Sequence, residues 1–139
     1  MNITIIDGQG GQLGAQLVKE ISAQFQNIHL TAIGTNAIAT STMLKAGAKN
    51  AATGENAAVV ACRRADVIIG PVGIVIADSL LGEITGQMAV AIGQANAVRI
   101  LIPINKCDNI IAGVSSLNTK ALIDDAISKL RDIIDRRDS

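Results

Sequence analysis

The sequence predicts a three-layer α/β fold in which a mostly parallel sheet of five or six strands lies between helices. Two observations predict it. Short runs of Ile, Val and Ala alternate with segments of helical period from one end of the chain to the other. The composition is 49% apolar with one Phe and no Trp or Tyr, so the core must be aliphatic, as suits strands buried on both faces. At 139 residues the chain fits a single domain spanning 1–139.

Ile3–Ile6 is a short buried strand, and Gly11–Phe25 carries Leu13, Leu17, Val18, Ile21 and Phe25 on one helical face. Ile28–Ile33 is the second strand. Asn36–Ala46 is the second helix, ended by Gly47 at the position where glycine relieves a left-handed turn. A weak strand near Ala48–Ala52 precedes Thr53-Gly54-Glu55-Asn56 and a helix over Asn56–Arg64, with Thr53 the expected cap. Val67–Ile69 is a fourth strand, stopped at Gly70-Pro71. Pro71–Gly82 reads as a long loop with a turn or short strand inside it. Glu83–Ala95 returns to helix, Val98–Pro103 is a fifth strand and Ile110–Val114 a possible sixth. Thr119–Arg137 closes the chain as an amphipathic helix with Leu122, Ala126, Leu130 and Ile133 along one face.

The motif richest in chemistry is Asp7-Gly8-Gln9-Gly10-Gly11-Gln12-Leu13-Gly14, where a strand runs into a glycine turn and a helix opens at once. Gly8 suits the tight turn, Gly10 lets backbone approach a pyrophosphate, and Gly14 lets the helix lie close to the strand. The free N–H groups and positive end of the helix then favour an anion. The spacing is GxGxxxG, one residue longer than the dinucleotide fingerprint. Asp7 opposes the reading mildly, because a carboxylate at the strand end repels phosphate. Three glycines can also be no more than a tight turn.

Two further strand ends carry glycine. Gly34-Thr35-Asn36 follows the second strand, where an NAD domain often places an acid for the ribose. No acid and no Arg stands there, which weakens an NAD assignment; Thr35 and Asn36 can reach a ligand, and Asn36 can equally cap the next helix. Gly70 and Gly73 follow the fourth strand. Glycine at three strand ends argues for a cleft beyond the carboxyl edge of the sheet, although glycine is common in turns.

Candidate reactive groups are fewer. Asp78 and Glu83 can serve acid–base work, but Asp78 or Ser79 reads as well as a helix cap and Glu83 as a first-turn acid. Asn105-Lys106-Cys107 follows the fifth strand: Lys106 can neutralise a phosphate, Asn105 can bond one, and Cys107 is a thiol of the same edge. His29, the one histidine, opens the second strand at the opposite edge, so a Cys107–His29 pair is not expected. Cys62 and Cys107 form no CxxC pair, so a disulfide framework or zinc knuckle is not supported, and no metal site is expected.

Lys plus Arg and Asp plus Glu number 12 each, so no global field draws the chain to nucleic acid, and stacking aromatics are missing. MNITIIDGQGG has no basic leader segment, and Val67–Ala77, interrupted by Pro71, falls short of the roughly 20 residues of a membrane span. A cytoplasmic protein is expected.

The blocks Ile6-Asp7-Gly8-Gln9-Gly10-Gly11, Gly34-Thr35-Asn36, Ala46-Gly47-Ala48, Thr53-Gly54-Glu55-Asn56, Gly70-Pro71-Val72-Gly73-Ile74, Leu81-Gly82-Glu83-Ile84-Thr85 and Ile102-Pro103-Ile104-Asn105-Lys106-Cys107 together resemble a family of small bacterial Rossmann-like proteins described only as a domain of unknown function. The resemblance implies the Rossmann-like fold and no activity, and it is weakest after about Ser116. It also draws Glu55 and Asn56 toward the cleft, beside their plain reading as a helix start.

Three functions fit these residues. One is a nucleotide or dinucleotide (NAD(P)-like) binder using Gly8, Gln9, Gly10, Gly11, Gly34, Thr35, Asn36, Gly70, Gly73, Asn105 and Lys106. Another is an enzyme of the same cleft with Glu83, Lys106 or Cys107 as reactive groups. The third is a structural or interaction protein that forms a homo-oligomer, such as a dimer, through its last helix.

Overall fold

The computed structural model describes residues 1–104, 108–114 and 118–139. Strands β1 (Asn2–Asp7), β2 (His29–Gly34), β3 (Asn50–Thr53), β4 (Val67–Pro71) and β5 (Val98–Ile102) form one sheet in the order β3-β2-β1-β4-β5. All four pairings are parallel. The helices are α1 (Gln12–Gln24), α2 (Ala37–Lys45), α3 (Glu55–Arg64), α4 (Gly86–Gln94) and α5 (Thr119–Asp138). This is the Rossmann-like strand order. The chain winds outward from β1 to β3, returns past β1, and winds outward again on the other side.

Right-handed crossovers then dictate the layers. Outward winding in one direction puts α1 and α2 on one face, and the reversal puts α3 and α4 on the other. Strand alternation matches. Ile3 and Ile5 of β1, Val67 and Ile69 of β4, and Ile100 and Ile102 of β5 meet Leu17, Val18 and Ile21 of α1 and Ile123, Ile127 and Leu130 of α5. Ile6 and Ile68 face the opposite way, onto Ala58 and Cys62 of α3 and Met88 and Ile92 of α4. The single benzenoid ring, Phe25, packs at the end of α1 beneath the Arg131 guanidinium, 4.7 Å from its centroid.

Three expectations need correction. Ile110–Val114 is turn and irregular chain rather than a sixth strand; Gly113 there has φ 84° and Ile110 is 96% exposed rather than packed as a strand residue would be. The fourth helix starts at Gly86, capped by the Thr85 hydroxyl accepting from the Met88 N–H, and not at Glu83, because Leu80, Leu81 and Gly82 all have positive φ. Gly54, not Thr53, precedes α3; the Thr53 hydroxyl instead meets that of Thr40 at 2.7 Å. Of the apolar residues of the last helix, Ala126 and Leu130 are buried against the sheet, while Leu122 and Ile133 are only partly buried at its margin.

The return of the chain beside β1 demands close approach. A Cβ on Gly70 would lie 2.3 Å from the Ile6 carbonyl oxygen, a backbone atom that cannot swing aside. A Cβ on Gly10 would meet nothing nearer than the Gln12 side chain at 4.0 Å. Gly70→Ala should therefore cost about 1–3 kcal/mol and Gly10→Ala no more than about 0.5 kcal/mol, as read from urea unfolding midpoints.

Candidate functional site

Open α/β sheets bind ligands beyond the carboxyl ends of the strands where the winding reverses. Here that point lies between β1 and β4. Gly8 at the end of β1, Gly34 at the end of β2 and Gly70 in β4 are brought to this edge together. His29 is paired with Asn2 at the other end of the strands, as its position in the sequence suggests.

The glycine turn is held by a buried acid. Asp7, 6% exposed, accepts the Gly8 N–H at 2.8 Å and the Gly14 N–H at 2.7 Å. It thus caps α1 in place of Gly11, whose left-handed conformation (φ 75°) carries no capping side chain. Gly11 N–H closes the turn onto the Gly8 carbonyl at 2.9 Å. Each of three glycines is required by a neighbour. A Cβ on Gly8 would strike Thr35, Leu80 and Glu83; one on Gly11 would lie 2.7 Å from the Ala39 carbonyl oxygen; one on Gly14 would strike Met43 and the Cβ of Asp7. Gly10, exposed and unobstructed, has no such requirement from the chain itself.

Of the two readings of Glu83, a group of the cleft edge or a first-turn acid, the helix reading fails, since α4 begins only at Gly86. The Glu83 Oε1 accepts the Gln9 N–H at 3.0 Å, the Thr35 hydroxyl at 2.7 Å and the Asn36 Nδ2 at 2.5 Å. The carboxylate therefore sits between the glycine turn and the end of β2, on the spot the motif offers to an anion. The strap that carries it runs from the short 3-10 turn Val72–Val75 to α4. Leu80 (2% exposed) and Ile84 (0%) anchor it in the core, the Ser79 hydroxyl bonds the Gly73 carbonyl, and Asp78 N–H reaches the Ile84 carbonyl at 2.7 Å. Leucine in the left-handed region costs roughly 1–2 kcal/mol, so Leu80 and Leu81 are held there by this anchoring. Side-chain spacing alone gives no signal of such a turn; Gly82 at the head of Glu83 is its one sequence trace.

Asn36 is the helix cap foreseen for it, and its other amide atom bonds the chain itself. Its Oδ1 caps α2 through the Ala39 N–H at 2.8 Å, while Nδ2 holds Glu83 and the Gln9 carbonyl. Gly73 lies under Ser79 of the strap. Glu55, in the first turn of α3, accepts the Thr85 hydroxyl at 2.5 Å and so ties α3 to the start of α4. Asn105, Lys106 and Cys107 lie outside the described residues. Cys62 is buried in the α3 layer, and burial pushes its thiol up, with the Arg99 charge opposing. Among the described residues no group of three or more His, Cys, Asp or Glu could hold a metal ion, and no helix is long and apolar enough to cross a membrane.

The two acids titrate in opposite directions. Burial raises the Asp7 carboxyl above its ordinary value; the Gly14 and Gly8 N–H groups oppose this in part, and the Glu83 charge adds to it. Burial also pushes Glu83 up, but the hydrogen bonds from Thr35, Asn36 and Gln9 together outweigh it, leaving its pKa below the ordinary value.

The chain belongs to the family described as a domain of unknown function, DUF3842, whose match covers residues 2–135 and so extends through most of α5, beyond the point where the sequence blocks thin out. Among solved structures it is similar to a dodecameric FMN-dependent UbiX-like decarboxylase from Escherichia coli O157:H7, at 18% identity and a TM-score of 0.48, over 93% of this chain and 75% of that one. No curated protein matches.

The signs of the two shifts make a prediction. The stability that ionised Glu83 contributes is complete above its ordinary 4.5 and is lost as pH falls through its lowered folded value. Ionised Asp7 acts oppositely: its penalty is absent below its ordinary 3.8 and grows as pH rises toward its raised folded value. Hydrogen-exchange protection of the Gln9 amide, corrected for intrinsic rates, should fall on acidification below 4.5, and Glu83→Gln should remove that dependence.

Proposed function

We propose that this chain binds a nucleotide or dinucleotide through its phosphate at the Gly8–Gly11 turn, and that the ligand phosphate takes the place of the Glu83 carboxylate. One observation carries the reading: the Gln9 N–H, the Thr35 hydroxyl and the Asn36 amide already converge on an anion, supplied by the chain itself. A donor set that holds a carboxylate oxygen in this way suits a phosphate oxygen equally. Gly10 is compatible with it, since it is exposed and a Cβ there would meet only the Gln12 side chain, at 4.0 Å. The crevice at the winding reversal is where the fold accepts nucleotides, and a cytoplasmic protein would meet them there.

A second reading keeps Glu83 in place. All three donors use Oε1, so Oε2 is left to accept ribose hydroxyls at the end of β2. Glu83 would then supply the acid that Gly34-Thr35-Asn36 lacks. The two readings differ in the sign of one substitution.

Thermal unfolding with NAD, NADP, FMN and ATP, with and without magnesium, tests both. Binding raises the midpoint by ligand linkage, by several degrees once ligand exceeds its Kd about a hundredfold. Gly10→Val should abolish the rise while leaving the unliganded midpoint nearly unchanged. Glu83→Gln should enlarge the rise if phosphate displaces the carboxylate, and diminish it if the carboxylate accepts ribose hydroxyls. A flat response to every ligand at millimolar concentration would remove the nucleotide reading.

A further inference from the structure

The sheet has two edges of different character. β3 is four residues long, Asn50-Ala51-Ala52-Thr53, and mostly exposed. β5 is Val98-Arg99-Ile100-Leu101-Ile102 and has no strand beyond it among the described residues. Natural edge strands are guarded by outward charge, proline or a covering element. The one charge in β5 is not available for this. Arg99 Nη1 is turned onto the carbonyls of Ile92, Ala95 and Ala97, at 3.3, 2.9 and 3.2 Å, where it closes the end of α4.

Beside this open edge, β5 and α5 enclose a groove of about 720 Å³. Its floor is apolar and includes Val98, which is 46% exposed, with Leu122 and Ile133 on the helix side. Its outer rim is a single stripe of α5: Asp125, Lys129, Asp132 and Arg136. These four stand at helical spacings of 4, 3 and 4, and their charges alternate in sign.

That order is self-complementary under a two-fold rotation. When two copies of α5 lie antiparallel, Asp125 of one faces Arg136 of the other, and Lys129 faces Asp132; the pattern maps onto itself with every contact between opposite charges. An isologous interface needs such a patch. A two-fold axis normal to the sheet at the β5 edge makes β5 antiparallel to its copy, so that backbone groups of the two edge strands pair. The same axis brings the two α5 helices together over the joined sheet, with the Val98, Leu122 and Ile133 surfaces between them.

We infer that the β5 edge and the α5 groove form the interface of a homodimer, with a second copy of this chain as occupant. Two five-stranded sheets thereby join into one. Desolvated charge pairs fix the register of the contact and the apolar floor supplies the buried area. The inference stands independently of the nucleotide reading, because no residue of the glycine turn or strap takes part.

The test is the solution mass of the full chain by analytical ultracentrifugation across a concentration series. The native protein should show a dimer step, twice the 14.3 kDa chain mass. Asp132→Lys places lysine opposite Lys129 twice per dimer and should raise the dimer dissociation constant about tenfold or more. Adding Lys129→Asp to it exchanges the two charges and should restore the dimer. Val98→Glu, on an exposed position with little effect on folding, should also split the dimer. Circular dichroism confirms that each variant is folded. A native protein that stays monomeric at high micromolar concentration would overturn the inference, as would an oligomer that neither Asp132→Lys nor Val98→Glu weakens.

Discussion

A buried carboxylate joins the first strand to the first helix. Asp7 spans the turn, with one oxygen on the Gly8 N–H and the other on the Gly14 N–H, so the strand end and the helix start are fixed by a single side chain. The helix can sit this close because Gly14 offers no side chain against Asp7 or Met43. The turn's remaining geometry follows: the Gln9 N–H projects over the sheet edge, and Thr35 is drawn alongside by its N–H bond to the Asp7 carbonyl at 3.0 Å. The cost is electrostatic, since the same carboxylate is desolvated and lies near a second one.

The strap from Asp78 to Glu83 answers that geometry. Its left-handed turn, held by Leu80 and Ile84 in the core, aims a carboxylate at donors that a helix-start acid could never reach. A helix dipole of its own would have stabilised Glu83 by a few tenths of a kcal/mol up to about 1 kcal/mol; three convergent hydrogen bonds, two from the end of β2 and one from the glycine turn, hold it instead. The strap and the glycine turn are therefore one unit, and Leu80 against Gly8 is the seam between them.

Much of this was legible in the chain. Period and composition identify the strands, the layers and the glycine turn, because buried parallel strands and amphipathic helices leave simple patterns. Asn36 reads correctly as a cap from its place before Ala37, and His29 reads correctly as distant from the glycine turn. Glu83 reads equally as a cleft residue and as a first-turn acid, because the turn that sets it places Leu80 and Leu81 in the left-handed region that leucine ordinarily avoids. Ile110–Val114 misled for the converse reason: its apolar composition suits a strand, but among the described residues it joins no sheet. The paired faces of α5 show the same division. Its core face is visible as periodicity, whereas the charge order on its rim acquires meaning only beside an open strand edge.

Phe25, stacked beneath Arg131, is the only benzenoid ring in a chain with no Trp or Tyr. The protein is consequently almost dark in the near ultraviolet and has no intrinsic indole or phenol emission. Any nucleobase or flavin carried through purification would dominate the absorption spectrum and be recognisable by its shape. The aliphatic core that shaped the sheet thus also makes this protein an unusually clean optical background for whatever it holds.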